Sequence, residues 1–503
     1  MSIGRISVMA VMMAWPVMTL AEDASTWYQE GQQALATAKK LQPNHHQARN
    51  VILFVGDGMG VSTVTAARIL EGQLQGREGE RNKLAFETLP YLALSKTYSA
   101  NQQTADSAPT MSAIVTGVKI NDGVISVDQR VLNGEKDNRK VQEARLTTIL
   151  ELAEQHGRAT GVVSTARVTH ATPAATYAHT STRDWESDRD IPAGADVKDI
   201  ASQLIDNFGA NGIGDGIEVV LGGGRSRFLP DTEDDPEYAG RKGERRDGRH
   251  LVHEYIRKFG AAYVWNQEQF DAINRATTQR LLGLFDRSHM QYEYDRPGDI
   301  AKEPSLAEMT GKAIDILKKN PRGFFLMVES GRIDHAHHAN KAYRALTETI
   351  SLSNAVRVAL EKVDLNDTLV IVTADHSHTM TIGGYPERGN PILGKVMEGG
   401  KLVRATDGRP YTTIAYANGK GYYPGVPGDQ VLDLPARSGR IEDMSNVDTT
   451  HPDFHQEVLV PLNSETHGAE EVQIFAGGPK AHLFHGIHEQ NYIFHVMKDA
   501  FGF

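Results

Sequence analysis

The sequence predicts an α/β fold: a three-layer arrangement in which a mostly parallel sheet is flanked by helices, with one inserted subdomain. Three observations carry that reading. Four short apolar runs, "VILFV" from Val51, "TGVVST" from Thr160, "FFLMV" from Phe324 and "TLVIVT" from Thr368, recur with helical or loop sequence between them. Continuous apolar runs of this length suit strands buried on both faces. Polar residues follow each run: Asp57, then His170 and Thr172, then Glu329, then Asp375 and His376. In open α/β sheets ligands bind beyond the carboxyl ends of the strands, so these groups are expected to converge. Finally, 503 residues with 40% hydrophobic and 23% charged composition provide for a large core.

The elements follow in chain order. The start, "MSIGRISVMAVMMAWPVMTLAED", sets Arg5 before an apolar run and small residues Thr19 and Ala21 before an acidic switch. Residues 1–21 therefore read as a signal peptide cleaved after Ala21. The competing reading is a retained anchor, for which the run is short. No second apolar span occurs and no hydrophobic tail follows "VMKDAFGF", so the expected product is soluble, periplasmic or secreted, and without a membrane anchor.

Residues 22–50 read as an N-terminal helix and linker. Trp27, Tyr28, Leu35, Ala38 and Leu41 recur at helical intervals, an apolar stripe for another surface such as a second subunit. Residues 51–382 and 465–503 form the expected catalytic α/β domain, with "IEVVLGGG" at 217 and "VQIFAGG" at 472 as two further strands. Residues 383–464, rich in Gly and Pro, read as an appended subdomain, and the charge run 229–250 as a solvated loop.

The net charge is -11, Asp+Glu 64 against Lys+Arg 53, and no basic stripe is present, which argues against nucleic acid as the main partner. Cysteine is absent, so any metal is held by His, Asp and Glu. "VESGRIDHAHHANKAY" puts Asp334 and His338 four residues apart, on one face of a helical turn. That spacing also describes a surface ion pair. Asp375 and His376 of "VTADHSHT", however, follow a buried strand, where unpaired charge is costly. His467 of "NSETHGAEE" precedes the last predicted strand.

Mixed His and Asp ligands without sulfur suit catalytic zinc, and two ions about 4 Å apart suit in-line displacement at phosphorus. Such ions would also acidify the hydroxyl of Ser107 in "TADSAPTMSAIVTG", which has none of the neighbours of a nucleophile elbow. Pro109 in a first turn places Ser107 at a helix start, which also describes a plain N-cap serine. Arg183, in "HTSTRDW", offers a two-pronged donor for phosphate oxygens, or is a surface residue.

Six motifs, "VGDGMG", "TADSAPT", "HATPAATYAHTSTR", "VESGRIDHAHH", "TADHSH" and "ETHGAEEV", resemble the alkaline phosphatases in order and spacing, from about Asn50 to the C-terminus. The stretches around "FFLMVESGRIDHAHH" and "AHLFHGIHEQNYIFHVM" look more like the animal enzymes than the enterobacterial form. The resemblance implies an alkaline phosphatase-like fold with a crown-like insert, a homodimer, and two Zn2+ and one Mg2+ per subunit. It assigns Asp334, His338 and His467 to one zinc, and Asp57, Asp375 and His376 to the other. Asp57 would bridge to a magnesium site that also uses Thr172 and Glu329. Ser107 would become a phosphoserine, with Arg183 on the non-bridging oxygens and Asp106, His170 and His335 in the substrate site.

His170 and His335 stand where the enterobacterial pattern has Asp and Lys, which favours zinc over magnesium in the third site. A structural Ca2+ at Glu237, the Phe285 carbonyl, Asp286 and Glu303 is implied in the same way. The family's disulfides and lipid-anchor tail do not transfer to this chain. His482, His485 and His488 read as structural. Open rivals are a phosphodiesterase or sulfatase of the same superfamily and a non-catalytic metal- or phosphate-binding protein. Such diesterases usually present threonine as the nucleophile, where this chain has Ser107, and "DSAPTMS" has a proline at the offset of the sulfatase signature but no arginine after it.

Overall fold

The computed structural model describes residues 23–503 except 211, 425 and 427–429, so the expected signal peptide lies outside the described residues. The chain divides into two compact units at Pro43 and Asn44. In the first, Asp23 caps the helix Ala24–Ala38 by accepting from the Thr26 amide at 2.8 Å. None of the helix is buried, and Trp27, Tyr28 and Leu35 are exposed.

A ten-stranded sheet organises the second unit. From edge to edge its strands are Gly486–Glu489, Tyr91–Lys96, Val472–Gly477, Thr368–Ala374, Asn50–Gly56, Phe324–Ser330, Ala159–Arg167, Val219–Gly223, Leu281–Leu284 and Ala262–Val264. Only Val472–Gly477 runs against its neighbours. The apolar runs of the sequence occupy the centre, and alternate side chains enter two separate cores. Ile52, Phe54, Leu326, Val328, Val370 and Val372 pack into one core, beneath the helices Val61–Leu74, Leu306–Leu317 and Ala342–Lys362. Leu53, Val55, Phe325, Met327, Leu369 and Ile371 pack into the other, beneath Ser107–Thr116, Ile149–Gln155 and Tyr492–Phe501. Burial on both sides is why these strands are apolar without alternation.

Register then positions the polar residues. Gly56 is level with Ser330 on one side and Ala374 on the other, so Asp57 and Asp375 leave the sheet together. Glu329 pairs with Val55 and with Ser164 at the same edge. A slip of one residue would turn every one of these side chains to the opposite face.

Within the expected insert, Ile414–Gly419 and Val458–Pro461 join Met380–Ile382, which precedes it, in a small three-stranded sheet. From that sheet the Tyr416 hydroxyl reaches His337 Nδ1 at 2.7 Å, next to the expected ligands Asp334 and His338.

The charge run 229–250 departs from the solvated loop expected of it. Arg245 is fully buried and grips Asp199 through two bonds of 3.0 and 3.2 Å, while Asp199 caps the helix Ile200–Asp206. Asp235 is buried against Arg225 at 2.8 Å. Charges paired this closely tolerate burial, and a linear pattern does not reveal who pairs with whom. Arg245→Ala is expected to lower unfolding free energy by about 3–5 kcal/mol, read from the urea midpoint, because it strands a buried carboxylate. A solvated arginine would change it by less than about 0.5 kcal/mol.

Candidate active site

Ser107 is the first residue of the helix Ser107–Thr116, whose N-cap is Asp106 and whose C-terminal Gly117 takes the left-handed conformation at φ 78. Every residue of this helix is buried, so its free N-terminal amides face the site rather than solvent. The Ser107 hydroxyl reaches Asp57 Oδ1 at 3.3 Å and His376 Nε2 at 3.2 Å. An imidazole therefore does stand beside the serine, although its linear neighbours contain none. His376 Nδ1 lies 3.2 Å from the Ser377 carbonyl, which fixes the proton there and leaves the Nε2 lone pair toward the site. Burial and the neighbouring His467 hold His376 well below the usual histidine range, so it is neutral.

Around the serine the expected ligands gather in overlapping groups. Asp334, His376, His378 and His467 place donor atoms within 4.8 Å of one another, as do Asp57, Asp375 and His376, and Asp57, His170 and Glu329. His338 joins the first group, with Nε2 3.2 Å from Asp334 Oδ1 and 3.2 Å from His467 Nε2. The i, i+4 pair on the helix Arg332–His338 thus belongs to a buried cluster and is no surface ion pair. Thr172 is buried on the short helix Ala171–Ala174, and its Oγ1 has no hydrogen-bond partner.

Electrostatics tests whether metal ions fit here. Asp57, Glu329 and Asp375 are each fully buried, and Asp57 Oδ2, Glu329 Oε1 and Asp375 Oδ2 have no hydrogen-bond partner. Burial, with Asp375, Asp334 and Glu329 close by, drives Asp57 well above the carboxylate range. Burial pushes Glu329 up to about 8, against the hydrogen bond from Ser164 and with the charge of Asp375. Such a set is costly as it stands, and divalent cations both neutralise it and complete its orphaned oxygens. The residues fit the ions implied by their types.

Arg183 lies beside this group. Its Nη1 donates to Asp106 Oδ1 and its Nη2 to His170 Nε2 at 2.7 Å. Burial alone would raise Asp106, but Arg183 outweighs it and holds the carboxyl low. The Asp106 amide in turn donates to Asp122 Oδ1 at 3.2 Å, so three segments hold the start of the nucleophile helix. His335 sits further out, its Nδ1 2.9 Å from Arg332 Nη1.

Several participants escaped the sequence reading. His378 bridges Glu465 and Asp334, 2.8 Å from the latter, and despite burial these two carboxylates push it up to about 10. It is two residues from His376, and Glu465 opens the "ETHG" motif, so both were visible without a role. Ser164 donates to Glu329 from inside a predicted strand. His289 and Asp299 lie in loops with no local signal.

The expected calcium residues Glu237, Asp286 and Glu303 share no ligating cluster among the described residues, and Glu237 Oε2 is 2.8 Å from the buried Arg225. Glu237, Asp286 and Glu303 act on one another together with Asp299, and burial pushes Glu237 up to about 7. Glu237 Oε1, Asp299 Oδ2 and Glu303 Oε2 have no partner. Phe285, next to Asp286, is buried at the end of Leu281–Leu284. His482, His485 and His488 share no ligating cluster among the described residues; His482 packs on His45 and His488 stacks on Tyr492.

A protein-family model described as "Alkaline phosphatase" matches residues 48–503. The chain belongs to the alkaline phosphatase family. It is 46% identical over 490 residues to the tissue-nonspecific alkaline phosphatase isozyme of Gallus gallus, covering 95% of this chain and 89% of that protein. It is 43% identical over 485 residues to the alkaline phosphatase of Gadus morhua, covering 94% and 96%. Among solved structures, Thermus thermophilus alkaline phosphatase aligns with a TM-score of 0.65 at 25% identity, covering 92% of this chain and 93% of that one. The family's α/β architecture, a large mostly parallel sheet flanked by helices, is the one found here. As an alkaline phosphatase family member the chain is a hydrolase with residue clusters able to bind metal.

Two outcomes follow from the geometry. In chelated protein the folded state keeps a proton on Glu329 that the unfolded state releases above its ordinary 4.5, so stability falls as pH rises toward about 8. Urea midpoints across that range should show this slope with chelator and a weaker one with metals restored. Asp106→Ala frees Arg183 from its anchor and is expected to raise the inhibition constant of inorganic phosphate about tenfold, the scale of one charge-assisted hydrogen bond. Steady-state kinetics should show kcat falling less than KM rises.

Proposed function

We propose that this chain is an exported phosphomonoesterase that works through a phosphoserine on Ser107. The observation that carries the reading is the meeting of Ser107, in the first turn of a buried helix, with Asp57 and His376, its Oγ 3.3 Å from the first and 3.2 Å from the second.

Asp334, His338 and His467 are the residues for one zinc, Asp57, Asp375 and His376 for a second, and Asp57, Thr172 and Glu329 for magnesium. When bound, the ions supply positive charge that makes the serine hydroxyl acidic and stabilises oxygens that gain charge. Ser107 Oγ releases its proton to solvent as it attacks phosphorus, the bond to the ester oxygen breaks, and the alcohol leaves with a proton taken from solvent. Water then attacks the phosphoserine, the bond from phosphorus to Ser107 Oγ breaks, one proton of that water passes through solvent to Oγ, and phosphate departs. Arg183 directs two N–H groups at non-bridging oxygens while Asp106 holds its other edge. The amides at the start of Ser107–Thr116 face the same anion. His378 and Glu465 act at one remove, orienting Asp334.

The finer assignments belong to the same reading. Glu237, the Phe285 carbonyl, Asp286 and Glu303 take a structural Ca2+, with Asp299 as a fourth carboxylate. The export signal of residues 1–21 supports a periplasmic or secreted protein, and among the described residues no helix is long and apolar enough to cross a membrane. The exposed Trp27, Tyr28 and Leu35 support a homodimer in which the N-terminal helix covers a partner, with residues 383–464 as a crown-like subdomain. The test is hydrolysis of an aryl phosphate. Ser107→Ala is expected to lower kcat more than about a thousandfold, and chelator should abolish wild-type turnover reversibly. Retained activity in either sample, or a preference for the matched diester, would overturn the proposal.

A further inference from the structure

Three imidazoles from separate segments meet on the outer side of Arg183. His170 precedes the short helix Ala171–Ala174, His289 follows the strand Leu281–Leu284, and His335 lies on Arg332–His338. One ring nitrogen of each is within 4.8 Å of those of the other two. The ring centroids are 5.3, 5.5 and 4.2 Å apart. His170 is only 8% exposed, and its Nδ1 has no hydrogen-bond partner. A core histidine is ordinarily satisfied at both nitrogens, so this one points to a missing ligand.

We propose that His170, His289 and His335 form a further transition-metal site, which adjoins the sites around Ser107 through His170, a member also of the Asp57 and Glu329 group. The donor set decides the class of ion. Three imidazoles without carboxylate suit zinc, copper or nickel, and are poor ligands for magnesium or calcium. Three histidines with an open fourth position are an established zinc arrangement.

The surroundings allow the nitrogens to be released. Arg183 Nη2 lies 2.7 Å from His170 Nε2, Arg332 Nη1 lies 2.9 Å from His335 Nδ1, and Arg167 meets His289 through its backbone amide at Nδ1 and its Nη1 at Nε2. Each guanidinium keeps a second partner when its imidazole turns to an ion. Arg183 keeps Asp106, Arg167 keeps Glu186 through bonds of 2.7 and 2.6 Å, and Arg332 lies 3.8 Å over the ring of Tyr292. No buried charge is stranded by the exchange.

Metal content tests the proposal. Wild type and His289→Gln are loaded with zinc and magnesium, desalted, and analysed by inductively coupled plasma mass spectrometry. The wild type is expected to retain one zinc equivalent more than the variant, and equal zinc contents would overturn the site. Should His289→Gln not fold by circular dichroism, the zinc-loaded wild type decides. One equivalent of copper(II) should then give an electron paramagnetic resonance spectrum split by three nitrogens, and a spectrum without that splitting overturns the proposal.

Discussion

The structure turns on negative charge buried at the carboxyl edge of a parallel sheet. Asp57, Glu329 and Asp375 are fully buried at the ends of three adjacent central strands, each with an oxygen that no protein group satisfies. Such crowding opposes folding unless cations meet it. The two cores that flank the sheet hold these strands in register, so apolar packing keeps the carboxylates where repulsion would disperse them. Stability and metal affinity are therefore coupled through the same residues.

Around that edge the remaining elements supply direction. The helix Ser107–Thr116 packs its body into one core and presents its first residue to the carboxylates. Asp122 holds the amide of Asp106, and Asp106 holds Arg183, so the anion-binding groups and the nucleophile share one chain of contacts. On the other side His378 and Glu465 hold Asp334, and Tyr416 reaches His337 from the small sheet. A substitution in residues 383–464 can thereby be felt at the site without touching substrate.

The central sheet was legible because strands buried on both faces leave continuous apolar runs. The edge strands Gly486–Glu489 and Ala262–Val264 and their neighbours Tyr91–Lys96 and Leu281–Leu284 were not, being short or partly exposed. Charged residues were read less well than apolar ones. Arg245 and Asp235 sit in a run that looks solvated, yet both are buried by exact pairing with partners elsewhere in the chain. Ser107 shows the same limit: its neighbours in sequence contain no base, while His376 arrives from the end of the strand Thr368–Ala374.

The sequence by itself determined which chemistry was available. Strand runs, the residues that follow them, the absence of cysteine and six motifs in family order already pointed to a metal-dependent phosphatase. Tertiary structure decided how those residues are shared: which carboxylate oxygens lack partners, which histidine faces the serine, and that His289 joins His170 and His335. The physical reason is that strand identity follows from local apolar pattern. Ligation and charge pairing depend on distances between segments that only register and packing set.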